Sequence, residues 1–263
     1  MLEAKNVSKT FRTSRTAGPV HAVKNANVTA RPGEFIAIVG ESGSGKSTLA
    51  RMMLDLIPVT SGTVEFNGQP LSQMDRQQKT EYRQTVQAVL QDPAGSLNPR
   101  KTVREAIGEI IRLHRVAKGG AAIERKIVES LDLVGFNNSE SFLDRYPHEL
   151  SGGQRQRVLI ARAIVLDPKI IIADEAVSAL DASVKAGVLQ LMNDIKDRLG
   201  VGYLFITHDL PVVKKVAEHV YVMKQGEIVE AAPKDDIFGN PRHEYTKTLL
   251  AASPILELAG STT

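Results

Sequence analysis

The stretch GESGSGKST, Gly40 to Thr48, constrains this chain more tightly than any other. Gly40, Gly45, Lys46 and Ser47 stand at the required places of the pattern G-x-x-x-x-G-K-[ST]. The apolar EFIAIV precedes the stretch and the amphipathic LARMMLDL follows it. That order, strand then loop then helix, is the context in which the pattern means a phosphate cradle. Nucleoside triphosphates carry several negative charges, so holding one takes backbone N–H groups crowded around its phosphates. Glycines allow that approach, and the helix N-terminus adds its positive end. The expected cradle runs through Gly40, Glu41, Ser42, Gly43, Ser44, Gly45, Lys46, Ser47 and Thr48. Lys46 is expected at the β/γ-phosphates and the Ser47 hydroxyl at Mg²⁺. An ordinary Gly/Ser turn would not satisfy the whole template in this setting. The loop predicts a bound nucleotide.

Composition adds exclusions. The chain of 263 residues is 42% hydrophobic and 24% charged, as an ordinary globular protein is. Its formal charge of +3 is too small to argue for nucleic acid. With no cysteine there is no disulfide, thiolate metal site or cysteine-held iron–sulfur cluster. The opening MLEAKNVSKTF shows no secretory pattern, and no apolar run approaches the roughly 20 residues that cross a bilayer. These features predict a soluble protein on the cytoplasmic side, where ATP is.

Along the chain, Leu2 to Phe11 and Val20 to Ala30 read as strands separated by the turn-forming TSRTAGP. TSGTVEFNGQPL reads as a hairpin around Asn67-Gly68, so an antiparallel layer is expected around the nucleotide strand. Gln87 to Gln91 reads as a short strand. Thr102 and Glu105 form a capping box ahead of Val103, Ile107, Ile110, Ile111 and Leu113 at helical spacing. Gly119-Gly120 breaks that helix, and the next carries Ile123, Ile127, Leu131 and Val134 on one face. About Pro93 to His148 therefore reads as a helical insert, although ordinary crossover helices have the same spacing. Beyond Leu150 come a Gly-rich helix start, the apolar strand KIIIADE and an amphipathic helix stopped at Gly200. GYLFITHD and a hairpin around Gln225-Gly226 follow. Apolar strands alternating with helices imply a mostly parallel sheet covered on both faces.

KIIIADE answers the phosphate loop. Asp174 at a strand's C-terminal end suits a carboxylate that holds Mg²⁺ through water. Glu175, one residue on, is placed to orient or deprotonate an attacking water. Ser151, Gly152, Gly153 and Gln154 open a helix in the manner of a second anion cradle. One nucleotide needs one cradle, so the second is expected to face the γ-phosphate on a partner molecule.

LSGGQ between a phosphate loop and a Walker-B strand resembles the ATP-binding-cassette (ABC) ATPases, and the resemblance covers essentially the whole chain. It implies a P-loop NTPase-type α/β core with an antiparallel β-subdomain and a helical insert. In domain terms, 1–92 and 158–232 form the core and β-subdomain, 93–157 the helical part with the signature, and 233–263 a tail. It also implies ATP and Mg²⁺ as cofactors. Phe11 is then the aromatic that stacks on adenine. Gln91 becomes the glutamine that reaches Mg²⁺ and the attacking water, Asp181 the end of a D-loop Ser178–Asp181, and His208 the switch histidine at the γ-phosphate. The chain departs from the common DEPTSALD in reading DEAVSALD, but its acidic pair and D-loop are intact. QDPAGSLNPR and the tail NPRHEYTKTLLAASP are similar to stretches of dipeptide, oligopeptide and nickel importer ATPases, here with Glu244 where Pro is usual.

That resemblance implies the ATP-hydrolysing subunit of an importer of a peptide-like or nickel-type substrate, peripheral on the cytoplasmic face of the inner membrane. The implied partners are a second ATPase subunit, identical or paralogous, two transmembrane permeases and, indirectly, an extracytoplasmic solute-binding protein. An export ATPase shares much of the layout. A nucleic-acid-linked ABC ATPase would carry coiled-coil arms, zinc modules or fused cassettes, and a binding-only cassette would be expected to lose Glu175 or His208.

Lys46→Ala should abolish tight ATP binding without unfolding the protein. Calorimetric titration of the folded variant checks this, and unchanged affinity would overturn the loop's assignment.

Overall fold

The computed structural model describes residues 1–12, 18–90 and 93–253. Strands β1 (Leu2–Phe11) and β2 (Val20–Ala30) pair antiparallel, burying Leu2, Ala4 and Val7 against Val23, Ala26 and Val28. After β3 (Phe35–Val39) and α1 (Lys46–Met53), the hairpin of β4 (Ser61–Phe66) and β5 (Gln69–Pro70) adds to the first pair. Its turn residues Asn67 and Gly68 have φ of 50° and 82°, the double positive φ that tight hairpins need. The resulting four-stranded sheet runs β2-β1-β4-β5.

The second sheet comprises β3, β6 (Val86–Val89), β7 (Ile170–Asp174), β8 (Gly202–Ile206), β9 (His219–Lys224) and β10 (Glu227–Pro233). Its order is β10-β9-β3-β8-β7-β6, parallel except for the antiparallel β9–β10 hairpin. Every residue of β3, β7 and β8 is buried, which is why these segments read as continuous apolar runs. The antiparallel sheet does not surround the nucleotide strand. That strand, β3, lies between β9 and β8, and the first sheet packs beside it as a separate layer.

Between the sheets' strands run α2 (Arg76–Thr85), α3 (Pro93–Ser96), α4 (Val103–His114), α5 (Gly120–Leu133), α6 (Gly152–Ile164) and α7 (Ala182–Leu199). The chain ends with α8 (Leu210–Val216), α9 (Lys234–Gly239) and α10 (Glu244–Ala251). The capping box of Thr102 and Glu105 starts α4 as expected. Asp75 with Gln78, and Ser151 with Gln154, cap α2 and α6 in the same reciprocal way. Gly200, at φ 66°, stops α7.

Three apolar clusters hold these layers. One face of the parallel sheet, with Ile171, Ala173 and Phe205, packs on Ile107, Ile127, Leu131, Val158 and Ile160 of the helical region. The other face, with Ile38, Ile172 and Leu204, packs on Leu49 and Met53 of α1 and on Leu2 and Val28 of the antiparallel sheet. Ala37, Val39, Val220 and Val222 pack on Val213, Ile237 and Tyr245 of the last three helices.

Several expectations shift. The strand expected at Gln87 to Gln91 begins at Val86 and ends at Val89. Leu113, expected with the apolar face of α4, is 70% exposed because it lies off the stripe of Val103, Ile107 and Ile111. Helix α2 went unforeseen, since RQQKTEYRQT buries only Tyr82 and shows no apolar stripe. The short helices α8 to α10 also left no clear periodicity. Most of the turn TSRTAGP lies outside the described residues.

Gly202, at the start of β8, faces the Arg31 carbonyl and Pro32, and a Cβ there would run into that carbonyl. Gly202→Ala should therefore destabilise the fold by about 2–3 kcal/mol. The urea unfolding midpoint, at unchanged m-value, measures it.

Candidate functional site

The parallel register brings three strand ends together. Ile38 pairs with Ile206, and Ile206 pairs with Asp174. Asp174 stands in that row, and just beyond it lie the phosphate loop after β3, Glu175 after β7 and His208 after β8. Glu175 N–H donates to Ile206 O at 2.8 Å and Thr207 N–H to Ile38 O at 3.2 Å, carrying the ladder into the loops.

The phosphate loop is braced from below. Gly40 and Gly45 have φ of 150° and 106°, and a Cβ at either would strike a backbone carbonyl, of Met223 or Ala22 respectively. Only glycine meets both demands. Gly226 N–H donates to Ser44 O at 2.9 Å and Lys24 N–H to Gly226 O at 2.8 Å, tying the loop to the β9–β10 turn and to β2. The Lys46 side chain crosses the loop, and its Nζ donates to Gly40 O and Glu41 O, both at 2.8 Å. Burial pushes its ammonium pKa down, while the Glu175, Asp174 and Glu41 carboxylates pull the other way.

Ser47 Oγ donates to Asp174 Oδ1 at 3.1 Å. Asp174 is 6% exposed, and burial raises its pKa against the opposing pull of that hydrogen bond. Glu175 has φ 51°, unusual for a residue with a side chain. This backbone turn places Glu175 Oε1 2.8 Å from His208 Nδ1. Ser178 Oγ donates to Glu175 O at 2.9 Å and braces the same turn. The cleft above these groups measures about 600 Å³ and includes Ser42, Gly43, Lys46, Ser47, Thr48 and Glu175 in its lining.

Other expected site residues lie elsewhere. Phe11 is 40% exposed at the end of β1, opposite Val20, with Lys9 Nζ 5.2 Å from its ring centroid. Val20 lines the cleft; Phe11 does not. Gln91 lies outside the described residues. Ser151 to Gln154 sit apart from the cleft lining, at the exposed start of α6. Gly152 is backed by Leu180 and Gly153 by Val184, so the signature rests on residues to either side of Asp181. Asp181 is exposed and sits at the N-cap of α7 without a side-chain cap bond.

Two parts of the cleft wall were not foreseen. His21, Ala22 and Lys24 of β2, with Gln225 and Gly226 of the β9–β10 turn, line it. His21, whose Nδ1 lies 3.0 Å from Thr10 Oγ1, had no sequence signal beyond its place in a strand.

Residues 23–178 match the profile of the ABC transporter family, and residues 229–261 that of the oligopeptide/dipeptide transporter C-terminal region. The chain belongs to the ABC transporter family. Among its relatives, the glutathione import ATP-binding protein GsiA of Salmonella paratyphi A is 45% identical over 244 residues. That match takes in 93% of this ABC chain but only 39% of the relative's length. The oligopeptide transport ATP-binding protein OppF of Bacillus subtilis is 44% identical over 256 residues, covering 97% of this chain and 83% of OppF. A solved dimeric ATP-binding cassette, MJ0796 in a post-hydrolysis state bound to ADP and Pi, superposes with a TM-score of 0.76 at 31% identity. It covers 89% of this chain and 99% of its own. The α/β fold expected of an ABC ATPase is therefore the fold observed.

Proposed function

We propose that this chain is the ATP-hydrolysing motor subunit of an ABC importer that takes up a peptide-like solute. One observation carries the reading: Lys46, Ser47 and Glu175 line one cleft, with Asp174 hydrogen-bonded to Ser47 and His208 to Glu175, in a chain whose tail matches oligopeptide transporters. The relatives named for glutathione and oligopeptide import support the cargo class.

In this reading ATP lies in the cleft with its β/γ-phosphates over the loop amides and the Lys46 ammonium. The donor set of Ser47 hydroxyl and Asp174 carboxylate, all oxygen and 3.1 Å apart, fits Mg²⁺, which takes few protein ligands beside phosphate oxygens and water. Held by these residues, the ion would supply positive charge to offset that of the phosphates. Glu175 orients or deprotonates the attacking water, and His208, hydrogen-bonded to it, contacts the γ-phosphate side. Gln91 would serve as a further ligand for Mg²⁺ and the attacking water, and Phe11, at the end of β1, would stack on adenine.

Ser151 to Gln154 lie outside this chain's own cleft, so they serve the nucleotide of a second ATPase subunit across a two-fold pair, with Asp181 in the shared surface. The dimeric state of the MJ0796 cassette supports this arrangement. ATP then joins the two subunits, and hydrolysis releases them. In the division of labour we propose, 1–92 and 158–232 bind nucleotide, 93–157 receives the permeases' cytoplasmic segments, and 233–263 is the importer-type tail. No helix among the described residues is long and apolar enough to cross a membrane. In the importer reading, which the peptide-import relatives support, the subunit works from the cytoplasmic face of the membrane through two permeases and, indirectly, a solute-binding protein.

Glu175→Gln should slow hydrolysis by about 10² to 10⁴ and trap an ATP-bound dimer. Size-exclusion chromatography with light scattering reads this, using ATP without Mg²⁺ and repeating the run with any paralogous partner. Monomer in both mixtures, or a dimer that survives Ser151→Arg, overturns the shared-nucleotide arrangement. The cargo is tested separately. Deleting the gene should abolish uptake of labelled di- or oligopeptides; loss of nickel, sugar or lipid transport alone would overturn the peptide assignment.

A further inference from the structure

We infer that Tyr245, in the C-terminal tail, is a positioning residue for the phosphate loop, so that the tail and ATP are energetically coupled. This rests on the reading that ATP binds over Gly40 to Thr48. Its physical core is one backbone unit held from both ends. Glu41 N–H donates to Tyr245 Oη at 3.1 Å, and Glu41 O accepts from Lys46 Nζ at 2.8 Å. The loop segment whose carbonyl anchors the catalytic lysine is thus fixed on its other side by a side chain some two hundred residues away in sequence.

Tyr245 is itself held firmly. It is 6% exposed, within the cluster that contains Ala37 and Val39 of β3, the strand leading into the loop. Lys224 Nζ lies 4.7 Å from its ring centroid. The start of α10 is pinned in turn. Glu230 Oε1 accepts from Arg242 N–H at 2.8 Å, and Oε2 from His243 N–H at 3.0 Å. His243 Nδ1 accepts from Tyr245 N–H at 3.0 Å, capping the helix. A carboxylate on β10 therefore sets the helix start, the histidine cap sets Tyr245, and Tyr245 sets residue 41. If Tyr245 merely filled the core, its ring would be needed and its hydroxyl would not.

The coupling works through loop geometry. With Glu41 held, the Gly40 and Glu41 carbonyls converge on the Lys46 ammonium, and the loop keeps one shape before nucleotide arrives. Without the Tyr245 hydroxyl, residue 41 is free to rotate its N–H to water, and ATP must then order the loop as it binds. By reciprocity, ATP in the cleft tightens the tail.

The test compares the full chain with Tyr245→Phe, which keeps the ring and removes only the hydroxyl. One neutral hydrogen bond predicts an ATP Kd raised by about 2- to 10-fold in calorimetry. The nucleotide-free Tm should fall by no more than about 4 °C. In the wild type ATP should slow amide exchange across residues 244–251, and in Tyr245→Phe that slowing should be lost. An unchanged Kd overturns the inference, as does a lowered Tm with unchanged affinity, the signature of a purely structural tyrosine. Lys46→Ala is the control: if the wild type binds ATP no better than that variant, the loop assignment itself falls and this inference with it. A wild type that binds ATP tightly beside an unaltered Tyr245→Phe removes the tail coupling alone.

Discussion

The site depends on strand register. Parallel pairing aligns Ile38, Ile206 and Asp174 in one row across β3, β8 and β7, and every chemically active segment leaves the sheet just beyond that row. A slip of one residue in any of the three would turn its side chains to the opposite face and carry its loop away from the others. The slip is resisted because β3, β7 and β8 are buried on both faces and their side chains interlock with two apolar clusters. Packing on the faces of the sheet thus fixes geometry at its edge.

Within this frame little charge is buried. Among the described residues, the charged side chains in the buried class are Lys46 and Asp174. Neither is left bare, since loop carbonyls take the ammonium and Ser47 donates to the carboxylate. Burying an unpaired charge is expensive, so these partners are a condition of stability. Surface ion pairs such as Arg104 with Asp144 and Glu124 sit on the outer face of the helical region and bear little on the site.

The helical region is joined to the core rather than appended to it. Residues of α4 and α5 share one cluster with α6, α7 and one face of the parallel sheet. The start of α6 is backed by Leu180 and Val184, which lie against Gly152 and Gly153. The tail forms a third cluster on β3 and β9, which brings it against the strand that feeds the phosphate loop.

How much was legible in sequence follows from the range of the forces involved. The phosphate loop, the Asn67-Gly68 hairpin, the Thr102–Glu105 cap and the apolar strands were readable because each is a local pattern, set by φ, by a neighbouring amide or by periodicity. The acidic pair and His208 gained meaning from their places at strand ends. By contrast, α2 is almost wholly polar, and Leu113 continues an apolar series that the helix turns outward. The cleft wall from His21 and Gln225 arises only when β2 and the β9–β10 turn close on the loop. Sequence alone determined which residues are candidates for the chemistry, since that choice depends on residue type and short spacing. Only the tertiary structure decided that Tyr245 reaches Glu41 and that the signature stands outside its own cleft, because both depend on packing between segments far apart in the chain.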